Sequence, residues 1–145
     1  MQTKNSSQHP ANSPTALAGA SLHSHWLLRI ALASAFLFYG IDKFMGAGVA
    51  GFAEMTGLPL IFAYLVAIAE ILGGIGILAG AFMGGIVTRL AAVAMIPVLL
   101  GAIFMVHWWQ WHFMASDTHP MGGMNFQVVL LLMAVYFLIR GNDAY

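Results

Sequence analysis

Residues 30–41 and 71–88 of this chain carry no charged side chain at all. The second is close to the roughly 20 apolar residues that a helix needs to cross a bilayer. Ten charges in 145 residues, five Lys+Arg and five Asp+Glu, amount to 7%, where a soluble domain carries about a quarter. With 61% hydrophobic residues and a mean hydropathy of +0.86, too little polar surface remains to cover a globule in water. That excludes a soluble enzyme and makes the lipid bilayer the expected solvent. A net charge of zero argues against a nucleic-acid partner, which demands a basic face. Cysteine is absent, so thiolate metal sites, iron–sulfur clusters and thiol relays are unavailable.

Residues 1–24 are rich in Ser, Asn, Gln, Pro and Ala without an apolar period and read as a disordered polar cytoplasmic tail. The first apolar run starts only near Trp26, too late for a cleaved signal peptide. The remainder, 25–141, is read as one all-α transmembrane domain, a four-transmembrane-helix bundle with spans at about 25–44, 58–80, 84–107 and 121–140. Residues 45–57 read as an outer loop. Pro97 falls inside the third span, where it removes one backbone hydrogen bond. That span ends in His107, Trp108, Trp109, Gln110, Trp111 and His112, a belt of amphipathic rings suited to headgroup level.

Four of the five Lys+Arg (Lys4, Arg29, Arg89, Arg140) fall on one side of this arrangement and Lys43 on the other. Both termini are therefore expected in the cytoplasm, in a multi-pass protein of a bacterial inner membrane. Gly76, Gly80 and Gly84 form a ladder at four-residue spacing, which lets helix backbones approach closely and carries no chemistry of its own.

Glu70 is the most informative side chain, because a carboxyl at that depth costs on the order of 2.5–3.5 kcal/mol to insert. It calls for a partner. Arg29 and Arg89 enter from the inner side within arm's reach, so a buried Glu–Arg cluster is geometrically allowed. The alternatives are a protonated Glu70 with both Arg snorkelling to phosphates, or a cluster that is purely structural. Asp42 and Lys43, at the outer end of the first span, read as an interfacial anchor. His107 shares a helix face with Arg89 five turns away and can look into the same interior as Glu70. Bis-His haem ligation is excluded by position, since none of the six His falls on spans two or four. No metal-ligand spacing is present.

Gly40-Ile41-Asp42-Lys43, Gly57-Leu58-Pro59, Ala69-Glu70-Ile71-Leu72-Gly73-Gly74 followed by Gly80, Thr88-Arg89-Leu90-Ala91-Ala92, and Gly122-Gly123 opening the last span resemble, in that order and spacing, the DoxX family of small four-helix membrane proteins. The resemblance covers about residues 29–138. It implies a bundle in the bacterial cytoplasmic membrane, in a family where some members are subunits of quinone-linked oxidoreductases, including a thiosulfate:quinone oxidoreductase, and others are accessory or chaperone-like. The positions it carries over are Lys43, Glu70, Arg89, the Gly122-Gly123 pair and Arg29. The chain departs at Asn125, where the family commonly has Glu, so an outer-side acid is missing. A neutral Asn can still hydrogen-bond a quinone carbonyl.

Three readings follow. The first is a membrane subunit of a quinone-linked oxidoreductase, without a redox centre or covalent cofactor, that binds quinone between helices beside a redox partner protein. The candidate polar site is then Glu70, Arg29, Arg89, Asp42, Lys43, His107 and Asn125, with Tyr39 and Trp108 near the outer group. The second is a non-catalytic scaffold or assembly factor. The third is a small transporter with Glu70 as proton relay, which would need a homo-oligomer to make a path.

Overall fold

The computed structural model describes residues 23–143; nearly all of the polar tail expected at 1–24 lies outside them. The described residues are all-helical, without strands: α1 (His25–Asp42), α2 (Gly48–Thr56), α3 (Leu60–Met83), α4 (Gly85–Gly101) and α5 (Asn125–Arg140). Past Gly101, α4 widens into a π-helical turn, Ala102–Val106. Pro97 sits inside α4 without ending it.

α3 is the central element. It packs against α4 on one side and α1 on the other, while α5 closes the ring by packing on α4 and touching α1. Small residues set these distances. A Cβ on Gly76 would meet the Ala91 methyl at 2.8 Å, and one on Gly80 would collide with the Thr88 side chain and backbone, so α3 and α4 are nearly in backbone contact there. Gly40 of α1 does the same against Glu70 and Ile71. The packed interior runs through Leu32, Phe36, Ile77, Met95, Leu130 and Phe137.

α3 and α4 with its π turn are long and apolar enough to cross a bilayer, and only 33% and 28% of their most apolar windows are buried inside the protein. A core helix of a soluble protein is mostly buried. Here Leu65, Leu72, Phe82, Ile86 and Leu90 instead point outward, as a lipid solvent permits.

The stretch 45–57, expected as a loop, contains α2. Val49 and Ala53 lie one turn apart and bury against Ala63 and Ala67 of α3, which repays the ordering of so short a helix. Gly57, at φ 71°, ends it in the left-handed region. α3 continues past the expected limit at residue 80 to Met83, and Gly84 alone, at φ 114°, reverses the chain into α4.

Candidate functional site

α1 is 18 residues long and α3 is 24. Because Gly40 abuts Glu70 and Ile71, α1 ends beside the middle of α3 and the next residue, Lys43, arrives at the depth of Glu70. Lys43 Nζ donates to Glu70 Oε1 at 2.9 Å and stands 2.8 Å from Oε2. It also lies 4.6 Å above the centre of the Phe52 ring of α2. The pair is largely shielded, with side-chain exposures of 14% and 9%.

This corrects two expectations. Glu70 does not join an Arg cluster, and Lys43 is no interfacial anchor. The fully buried Arg29 is engaged elsewhere: Nη1 donates to Ile77 O at 2.5 Å and Thr88 Oγ1 at 3.1 Å, and Nη2 donates to Asn142 Oδ1 at 2.8 Å. Its guanidinium also stacks 4.8 Å from the Phe137 ring centre. Ile77 is seven residues beyond Glu70, about 10 Å along the helix, so the two polar centres are separate. Arg89 reaches Ile139 O at 3.3 Å from an exposed position, and Asp42 is exposed.

The Lys43–Glu70 pair lines a cavity of about 370 Å³ between α1, α2, α3, α4 and α5. That lies within the usual range for small-molecule sites. Its wall is mainly aromatic and aliphatic, with Phe36, Tyr39, Phe52, Phe62, Met105 and Phe126 among the contributors. Also on the cavity wall, the buried His107 Nδ1 donates to Gly122 O at 2.7 Å, while Gln127 Nε2 donates to His107 Nε2 at 3.0 Å. His107 and Glu70 thus share one interior. Asn125 is at the start of α5 beside an adjoining recess that shares Tyr39, Met121, Phe126 and Gln127 with the cavity; its Oδ1 is buried without a hydrogen-bond partner among the described residues. No group of His, Asp and Glu that could hold a metal ion occurs among the described residues.

The family model for DoxX matches residues 25–108, a segment that holds Arg29, Lys43, Glu70, Arg89 and His107. The chain belongs to the DoxX family. A curated protein of Bacillus subtilis (strain 168), named "Putative oxidoreductase CatD", is 30% identical over 117 residues, which is 80% of this chain and 78% of that one. No solved structure matches the chain significantly. With its long apolar helices, this is a DoxX-family membrane protein.

Within this DoxX chain the Gly122-Gly123 pair acquires a physical reason. A Cβ on Gly123 would collide with the carbonyls of Gln110 and His112, and Gly122 is left-handed at φ 80°. The pair folds the loop 107–124 back on itself, so that Met124 N donates to Gln110 O at 2.8 Å and Gly122 O meets His107. Reading the sequence alone missed Phe52, Thr88, Gln127 and Asn142. Phe52 had a signal, since Val49, Phe52, Ala53 and Thr56 fall at helical spacing. Gln127 had one too, as a second amide two residues after Asn125 at the head of an apolar run. Asn142 reads as a helix terminator and nothing in its surroundings suggests more.

Proposed function

We propose that this protein is a four-transmembrane-helix, multi-pass subunit of a quinone-linked oxidoreductase in the bacterial inner membrane, with both termini cytoplasmic. The observation that carries the reading is the cavity, an aromatic and aliphatic slot whose wall holds both an ion pair and a hydrogen-bonded imidazole. A quinone headgroup suits such a slot: flat and apolar in the middle, polar at two opposite edges. The name of the Bacillus subtilis relative supports an oxidoreductase association. Orientation rests on Arg29, Arg89 and Arg140, which gather at the end of the bundle opposite the cavity and mark the cytoplasmic side.

The quinone would supply a two-electron, two-proton acceptor, with the electrons delivered by a partner redox protein. The chain's own residues bind and orient. Phe36, Phe52 and Phe126 exclude water, His107 and Gln127 hold another part of the wall in one hydrogen-bonded arrangement, and Lys43 Nζ donates a hydrogen bond to Glu70 Oε1.

Gentle detergent extraction from the native membrane, followed by identification of co-purifying lipids and proteins, tests the reading. Bound quinone together with a soluble redox protein that reduces added quinone only when this chain is present is expected. Preparations that hold neither contradict it.

A further inference from the structure

Two acceptors on the cavity wall, on Glu70 and Gln127, are buried without a hydrogen-bond partner among the described residues. Lys43 Nζ donates to Tyr39 O at 3.4 Å and to Glu70 Oε1 at 2.9 Å, while Glu70 Oε2, 2.8 Å away within the ion pair, is buried without a hydrogen bond among the described residues. Thr56 Oγ1 donates to Phe52 O at 2.8 Å. At His107, Nδ1 faces a carbonyl, which can only accept, so Nδ1 carries the hydrogen and Nε2, which Gln127 Nε2 meets at 3.0 Å, presents a lone pair. Gln127 must then turn its amide nitrogen to that lone pair. Its Oε1 is thereby fixed as the spare atom, and it is buried from water with no partner among the described residues.

Among the described residues that line the cavity, the buried side-chain polar atoms left without a hydrogen bond are therefore both acceptors, the Gln127 amide oxygen and Glu70 Oε2. A quinone brings two more acceptors, its carbonyl oxygens, to such a wall. A hydroquinone brings two O–H donors instead. We infer that the cavity is selective for the reduced, hydroquinone form of its ligand, with its hydroxyls directed to Gln127 and Glu70. The inference rests on the quinone reading above and adds the redox state that the site prefers. The selectivity comes from the same asymmetry that makes a site built to hydrogen-bond a hydroxyl reject the analogue lacking it: the wall's buried polar atom stays unmet.

The test is an anaerobic titration of the full chain in quinone-free lipid nanodiscs with decylubiquinol and, separately, decylubiquinone. The hydroquinone is expected to bind about tenfold more tightly. The midpoint potential of the bound couple should then rise by about 30 mV for a two-electron couple, a readout that needs no variant. Gln127→Leu, checked for folding by its thermal transition, should bring the two affinities close to equal. Equal or tighter quinone binding by the wild type, a fall in the bound couple's potential, or an undiminished ratio in folded Gln127→Leu would overturn the inference and leave the quinone reading standing. Binding of neither form overturns both.

Discussion

Lys43 and Glu70, 27 residues apart in sequence, form a shielded ion pair in which one ammonium spans both carboxylate oxygens at 2.9 and 2.8 Å. Taking away one member strands the other in a low-dielectric interior, whereas replacing both by apolar residues removes the problem. Lys43→Met is therefore expected to destabilise the purified protein by about 3–5 kcal/mol. The double variant Lys43→Met/Glu70→Met should recover most of that loss while failing to bind quinone. Thermal unfolding in detergent with a parallel binding assay checks both halves. A double variant as unstable as the single one would show that the pair does more for the fold than match its own charges.

At the opposite end, Asn142 ties three elements together. Its Oδ1 accepts from Arg29 of α1 and from Thr88 of α4 at 2.7 Å, and its Nδ2 donates to Gly80 O of α3 at 2.8 Å. Asn142→Ala should cost about 1.5–3 kcal/mol, the range for hydrogen bonds to a charged group. Asp143→Ala, at the exposed neighbouring position, should change little. The difference in unfolding midpoint between the two variants is the measurement.

Glycines at two places in the chain should respond in opposite ways. Gly123→Ala puts a methyl into the Gln110 and His112 carbonyls, which are backbone and cannot swing aside. Loss of about 1–3 kcal/mol is expected, with the loop 107–124 displaced from His107. Gly101 is the last residue of α4 and a Cβ there meets open space, so Gly101→Ala should stabilise by about 0.5–1 kcal/mol. Thermal unfolding of the two single variants reads the sign directly.

The importance of Glu70 was legible because a lone carboxyl in an apolar run demands an explanation, and the helical character followed from the same uncharged stretches. Its partner was not legible. Depth counted inward from the end expected to be cytoplasmic points to Arg29 and Arg89, but the pairing is decided by where α1 stops beside α3, which depends on Gly40 packing against Glu70 and Ile71. α2 was hidden for a related reason: its burying face is four positions wide and gains meaning only against Ala63 and Ala67. The cavity is lined by the π turn Ala102–Val106 and by α2, and the π turn has no local sequence pattern. Arg29 reads from sequence as a charge near an interface; its burial comes from Thr88 and Asn142 closing over it.

The central claim is that the cavity beside Lys43 and Glu70 receives a quinone headgroup. Val66 lines that cavity from α3 and takes no part in either hydrogen-bonded wall, so Val66→Phe fills the space and leaves the polar groups in place. Saturable binding of a short-chain quinone or its hydroquinone to the wild type in quinone-free nanodiscs, at one per chain, is the direct measurement. The account predicts such binding, weakened at least about tenfold, the effect of about 1.4 kcal/mol, in a Val66→Phe variant whose thermal transition is intact. Binding that is non-saturable in the wild type, or equal in the two proteins, would contradict it.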